Sequence, residues 1–313
     1  MKKYVPDYYN DFRCLAGRCR HNCCIGWEID IDRDTLAFYD TIGGEMGQKL
    51  AANICREGDT AHFCLKENGR CPFLNENDLC EIVMELGFEK TSQICDDHPR
   101  FRNFFSEREE TGLGMSCEAV AQLILTRTDK TQLVCAEDGE ELLWPDECDF
   151  LDIRDDIFYA LQNREKTVDS RIEDMLAVCG INMPSFTAAG LADIFLPLER
   201  LDERWTALVE SLKNIPEENL SFTDNSFDIP FEQLLVYLVF RHTADSLDDG
   251  LFVGRVLMVT AGFYLIRYLL AAHREQYGTA DMNTLCEIAR MFSAEIEYST
   301  ENTEILAELF ENL

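Results

Sequence analysis

The chain has 313 residues, of which 46% are hydrophobic and 11% aromatic. That supplies core for one large domain or two and excludes a disordered chain. Its formal net charge is −31, with 59 acidic against 28 basic side chains, and acids outnumber bases in both halves. A field of that sign excludes attraction to nucleic acid or to an anionic lipid surface; it serves solubility and favours a basic partner, such as lysine side chains.

The opening "MKKYVPDYYNDF" has basic residues without an apolar run behind them, which predicts no signal peptide and a cytoplasmic protein. The next stretch, "FRCLAGRCRHNCCIGWEIDID", packs Cys14, Cys19, Cys23 and Cys24 together, then alternates apolar and acidic residues as a half-buried strand does. Asp32 or Asp34 is placed to cap a helix through "TLAFYDTI", ended by Gly43-Gly44. "HFCLKENGRCPFL" reads as a hairpin around Asn68-Gly69, and "NDLCEIVMEL" as a helix starting at Asn77 or Asp78. "FRNFF" and "LGMS" read as a second hairpin around "SEREETG", followed by a helix in "CEAVAQLILTR".

Beyond residue 149 the periodicity is helical: "FLDIRDDIFYALQN", "RIEDMLAVC", "LERLDERWTALVESLKN", "PFEQLLVYLVFRHTADSL", "MNTLCEIARMFSAEI" and "ENTEILAELFEN" all space apolar residues by three and four. The run from Leu251 to Ala272 is long enough to span a bilayer. Arg255 and Arg267 interrupt it, which predicts a buried helix and no membrane association. The fold class is therefore mainly α with a small α+β Cys-rich N-terminal part, a metal-cluster domain over 1–130 followed by a helical domain over 131–313.

Ten of the 14 cysteines lie between Cys14 and Cys117. In a reducing compartment a chain of this size needs no disulfides, so the gradient points to metal. Cys19 and Cys23, four apart, share a helix face; Cys23 and Cys24, as neighbours, diverge unless the backbone bends. Further sulfur follows at Cys71, Cys80, Cys95 and Cys117, with His98 three residues after Cys95. Four thiolates hold a structural zinc or an iron–sulfur cluster equally well. The spacing C-x4-C-x3-CC lacks the C-x2-C zinc knuckle. Gly26 stands where a C-x3-C-x2-C loop would need its third cysteine.

The pieces "FRCLAGRCRHNCCIGWEIDIDRDTLAFY", "CPFLNENDLCEI", "ICDDHPR" and "SCEAVAQLIL", in that order, resemble the flagellin lysine N-methylase family of CxxCxxCC cysteine-cluster proteins. The resemblance covers about the first 125 residues with motifs, and the rest only as a general helical likeness. It implies a [4Fe–4S] cluster held by thiols among Cys14, Cys19, Cys23, Cys24, Cys71, Cys80, Cys95 and Cys117. It further implies methyl transfer from S-adenosylmethionine to lysine side chains of flagellin. Broader members of the class bind zinc or iron, which keeps zinc as the alternative cofactor.

The glycine-rich first turn of the common methyltransferase sheet is absent, so S-adenosylmethionine needs another mode of binding, and chelation of an incompletely ligated iron is one. A lysine ammonium, with a pKa of about 10.4, must be attracted, desolvated and deprotonated before it attacks a methyl group. The candidates for this work are Trp27, Asp30, Asp32 and His98, with Glu28, Tyr39, Arg100 and Arg102 nearby. Their plainer roles are a hydrophobic lid (Trp27), a solvated strand face (Asp30, Asp32), a polar contact beside Pro99 (His98) and surface ion pairs (Arg100, Arg102). The competing function is a non-catalytic zinc or iron module that senses metal or docks protein partners.

Overall fold

The computed structural model describes every residue except Trp27, Asp59 and Asn68. The chain divides into two compact units, residues 13–100 and residues 1–12 with 101–313. The division thus falls at 12/13 and 100/101, not at 130/131. The reason is a sheet that claims both the first strand, β1 (Lys2–Pro6), and the chain from residue 100 onward.

In the 13–100 unit, Asp32 caps helix α1 (Arg33–Tyr39) through a 2.9 Å bond from the Thr35 amide, as the sequence suggested. A second helix, α2 (Gly44–Asn53), was not anticipated. The expected alternation after Cys24 holds: Ile29 and Ile31 are buried while Glu28 and Asp30 face solvent. This segment runs beside β3 (Thr60–Phe63), with Ile31 donating to Ala61 and Phe63 to Ile29, but only Asp30 forms a bridge. The hairpin closes earlier than the Asn68-Gly69 signal predicts. It pairs β2 (Ile54–Glu57) with β3 around Gly58, whose φ of +62° suits a tight turn; Asn68 lies outside the described residues.

A disulfide joins Cys55 to Cys64, Cα atoms 5.5 Å apart, at diagonal positions of that hairpin. This corrects the reading that no disulfide forms. The hairpin register alone brings the pair within bridging distance.

Helix α3 (Glu81–Leu86) begins later than Asn77 or Asp78. The Asn75 side chain accepts from the Asn77 and Leu79 amides, and Asp78 adopts φ +57°, so these residues form a turn in place of a first helical turn. Helix α4 (Gln93–Asp97) follows. The core of this unit gathers Tyr39, Leu50, Phe63, Phe73 and Ile82, with the Phe63 and Phe73 rings 4.9 Å apart.

The other unit joins a four-stranded sheet, in the order β4-β5-β1-β6, to a helical body. The second hairpin is present as β4 (Arg100–Phe104) and β5 (Arg108–Leu113), but β5 takes up most of the "SEREETG" segment read as its turn, and only Leu113 of "LGMS" belongs to it. β1 runs parallel to β5, with Lys2 opposite Arg108, and antiparallel to β6 (Leu133–Glu137). The helices are α5 (Glu118–Leu125), α6 (Pro145–Leu161), α7 (Val168–Val178), α8 (Ala188–Phe195), α9 (Glu203–Ser211), α10 (Asp228–His242), α11 (Ser246–Asp249), α12 (Phe252–Tyr277), α13 (Met282–Phe292) and α14 (Thr300–Glu311). Only α8 and the single turn α11 lacked a separate sequence signal. Asp281 caps α13 through the Thr284 amide at 2.9 Å; Asp281→Ala is expected to cost about 1 kcal/mol in a urea titration.

Helix α12 is the one described helix long and apolar enough to cross a membrane, and 78% of its most apolar window is buried inside the unit. Its interrupting arginines are ion-paired, Arg255 to Asp249 at 2.6 Å and Arg267 to Asp169 at 2.5 Å. At Gly254 the helix touches α14 so closely that a Cβ would stand 2.1 Å from the Ala307 carbonyl oxygen. Gly254→Ala must therefore push the helices apart, at an expected cost of about 1–3 kcal/mol, read as a lower urea midpoint with an unchanged slope. Between α13 and α14 the chain widens into a π-type turn, Ser293–Glu297, which brings the fully buried Glu297 against α10.

Candidate functional site

The first candidate is the thiol constellation of the 13–100 unit. A turn at Cys23–Cys24 bends the backbone, so the adjacent thiols do not diverge: Cys24 donates to Cys23. The Cys71 amide donates to the Cys24 carbonyl at 2.8 Å, fixing these two segments side by side. Leu74 bridges to Cys80, and the Ser92 hydroxyl lies 3.2 Å from the Cys95 sulfur.

Five thiols, Cys23, Cys24, Cys71, Cys80 and Cys95, thereby come within electrostatic reach of one another. The bond from Cys24 lowers Cys23 to about 7 and, with burial and the charge of Cys71 and Cys80, raises Cys24. Burial pushes Cys71 up to about 11 and Cys95 up to about 12, with Cys80 adding to both. Among the described residues, no three His, Cys, Asp or Glu side chains stand together as they would around a single metal ion.

Of the eight cysteines singled out from the sequence, three stand apart from this description. Cys14 is exposed and accepts from the Ala16 amide at 3.3 Å; Cys19 donates to the His21 carbonyl at 3.4 Å. Cys117 belongs to the other unit, where it heads α5.

The non-sulfur candidates separate by their partners. Both Asp32 oxygens are engaged, one by Thr35 and the other by the Gln93 amide at 2.9 Å. Burial raises its pKa, but these amides outweigh that and lower it, so Asp32 ties α1 to the start of α4 as a carboxylate. Asp30 is exposed. His98, half-buried before a cis Pro99, is lowered to about 4, chiefly by burial and then by Arg100, so its imidazole is neutral at physiological pH. Tyr39 donates to the Lys90 carbonyl at 2.8 Å and Glu28 stands 3.5 Å from His62. Arg100 donates to the Asp96 carbonyl at 2.8 Å and Arg102 pairs with Glu109 at 3.7 Å. Trp27 lies outside the described residues.

The second candidate escaped the sequence reading. A cavity of about 550 Å³ opens in the helical unit between β4, the α10–α12 corner and α14. On its wall the buried Glu297 accepts from the Tyr237 hydroxyl at 2.7 Å and meets His242 Nε2 at 2.8 Å. Burial raises Glu297, yet Arg241 and His242 hold it down at about 2, so it stays ionised. Arg255 is tied to Asp245 at 3.1 Å and to Asp249 at 2.6 Å. No periodicity foretells this: His242 ends α10, while Glu297 and Glu304, from the π-type turn and from α14, come more than fifty residues later.

Comparison with known proteins reaches the chain from its helical end. The sequence model of the FliB lysine N-methylase C-terminal domain matches residues 156–313, half of the chain. The Lysine-N-methylase of Salmonella choleraesuis (strain SC-B67) is 27% identical over 134 residues, 41% of this chain and 33% of that protein. The same identity and coverage hold for the Lysine-N-methylase of Salmonella typhimurium (strain LT2). The Flagellar biosynthetic protein FliU of Salmonella muenchen is 26% identical over 134 residues, 41% of this chain and 79% of that protein. The match thus spans about a third of the length of the two lysine N-methylases. No solved structure matches. The family that the cysteine-rich motifs resemble is met again in the half of the chain that offered no motif: the protein belongs to the FliB lysine N-methylase C-terminal domain family.

Proposed function

We propose that this protein methylates lysine side chains of a flagellin-type protein substrate, drawing the methyl group from S-adenosylmethionine and holding an iron–sulfur cluster on its thiols. The observation that supports the reading is the gathering of five thiols in a chain whose helical half matches a lysine N-methylase domain.

What supports such a group is the chemistry of the donors, not their present spacing, since no three of them stand together as around a single ion among the described residues. Buried thiols crowded by other thiols resist ionisation, as Cys71 and Cys95 do, and a bound metal reverses that penalty by keeping them as thiolates. Cys23, Cys24, Cys71, Cys80 and Cys95 are the thiols that would hold the cluster. When bound, it supplies Lewis-acidic iron in a partly buried setting.

The chain's own residues do the rest. The exposed carboxylate of Asp30 offers an incoming ammonium a counter-charge, and the neutral His98 imidazole has a lone pair for a proton or a ligand bond. Asp32 keeps its oxygens on the Thr35 and Gln93 amides and holds α1 against α4.

The test is anaerobic purification followed by incubation of flagellin with S-adenosylmethionine. A brown protein and a methyl mass increment on flagellin lysines are expected. A colourless protein with one zinc per chain would remove the cluster, and unmodified flagellin would remove the substrate assignment.

A further inference from the structure

Residues 13–100 hold seven free thiols and one disulfide, Cys55–Cys64. In the β2–β3 register Ile54 stands opposite Phe63 and Cys55 opposite His62. Alternation along the strands puts Ile54 and Phe63 on one face and Cys55, His62 and Cys64 on the other. Burial follows the same division: Phe63 is in the core and Ile54 packs against it, while Cys55, His62 and Cys64 are half-buried. Cys71 is part of that core, and Cys24, Cys80 and Cys95 pack against it; neither cysteine of the disulfide does. The disulfide is thus turned away from the core and within reach of a dissolved thiol.

The two strands it joins are not held equally. β3 has a second neighbour, since Ile31 donates to Ala61 and Phe63 donates to Ile29. β2 has β3 alone, Arg56 and Glu57 are exposed, and only Ile54 brings apolar surface to the core. A strand with so little burial is marginal on its ladder bonds alone. The bridge spans a sequence separation of nine and restrains the detached state of β2, which is how a disulfide stabilises. A bridge that solvent reaches is also of the labile kind.

We propose that Cys55–Cys64 is a reversible redox latch on β2, closed as the disulfide and open as the dithiol. Opening takes two molecules of a small thiol such as glutathione. The thiolate of the first attacks one sulfur, the Cys55–Cys64 bond breaks and a mixed disulfide forms; the second displaces it. Two electrons and two protons pass to Cys55 and Cys64, which become thiols, and the reductant leaves as its own disulfide. Glutathione disulfide runs the exchange backwards. In the open state β2 and the last turn of α2, which runs straight into it, come free, while β3 stays on Ile29 and Ile31. The latch is independent of the methylation reading.

The experiment begins with the full chain equilibrated under nitrogen at a series of reduced-to-oxidised glutathione ratios, quenched with acid, alkylated and digested. Mass spectrometry should find Cys55 and Cys64 passing together from unmodified to alkylated as the ratio rises, and back again on reoxidation. Protection from alkylation at every ratio would make the bridge a fixed staple, and alkylation at every ratio would mean that it does not form; either result overturns the latch. Hydrogen exchange then compares the wild type with Cys55→Ser/Cys64→Ser and with Cys55→Ala/Cys64→Ala, which controls for the added hydroxyls. Both variants should exchange the amides of residues 53–57 about tenfold faster or more, with residues 71–86 unchanged. Unaltered exchange at 53–57, or equal acceleration throughout residues 13–100, overturns the assignment of the latch to β2.

Discussion

Cys71→Ser is expected to abolish both metal binding and methyl transfer. Cys71 is the most buried of the gathered thiols, 4% exposed, and its amide is bonded to Cys24, so its sulfur has no room to be replaced by a neighbour. Losing a direct ligand should exceed the roughly 10–100-fold that loss of an outer partner costs in metal affinity. Cys95→Ser, on a different element, should behave in the same way, which separates lost ligation from a local folding defect at Cys71. Cys135→Ser and Cys148→Ser, both at exposed positions in the other unit, should keep full metal content. Iron and zinc analysis of the four purified variants checks the pattern; a Cys71 or Cys95 variant with undiminished metal would exclude that sulfur as a ligand.

The largest effect on stability is expected at Glu110. This carboxylate is completely buried and is gripped by Arg154 through bonds of 2.6 and 2.7 Å, with Arg108 a third partner at 2.6 Å. Arg154 is itself 1% exposed, so Glu110→Ala strands a guanidinium in the core. The expected loss is about 3–5 kcal/mol, because the penalty is the unpaired buried charge and not merely a missing attraction. Breaking the exposed Arg204–Asp202 pair should cost no more than about 1 kcal/mol.

The same pair sets a pH dependence. Burial raises the Glu110 pKa, but Arg154 and then Arg108 outweigh it and leave it below the ordinary glutamate value of 4.5; Glu297 falls to about 2 under Arg241 and His242. Groups lowered on folding add stability that is complete above their unfolded pKa and is lost as pH falls through the folded one. Thermal melts should therefore hold their midpoint above pH 5 and fall steeply between about 4.5 and 2. A midpoint flat across that window would contradict the sign of both shifts.

How much of this was legible without coordinates depended on whether the signal was local. Helix periodicity placed α6, α7, α10, α12, α13 and α14, because each buries one stripe or all of its surface. The Asp32 cap and the first strand of the β4–β5 hairpin were equally local, whereas β5 fell in the polar stretch read as the turn. The closing turn of β2–β3 was not, since Gly58 carries a weaker turn signal than Asn68-Gly69 and the partner of β3 precedes it. β1 escaped notice because its nearest partner, β5, lies about a hundred residues away, and a lone five-residue strand has no period to read. At the site, composition and spacing found the five thiols that come together but could not separate them from Cys14, Cys19 and Cys117, which carry the same residue type at the same density. The cavity was invisible for a stronger reason: its charges neutralise one another only in three dimensions.

The parallel pairing of Lys2–Tyr4 with Arg108–Glu110 also orders events during synthesis. At about 5–20 residues per second, a ribosome needs roughly 5–20 seconds to deliver β5 after β1 has emerged. All of residues 13–100 appear in that interval, and they carry their own core. The cysteine-rich unit can thus collapse while β1 is still an unpaired ribbon. The sheet that holds β1 is completed only when β6, at residue 133 and beyond, has followed. A folding failure of that unit during translation would then be felt by a nascent chain whose first strand is still waiting, well before the helical body exists to be misfolded.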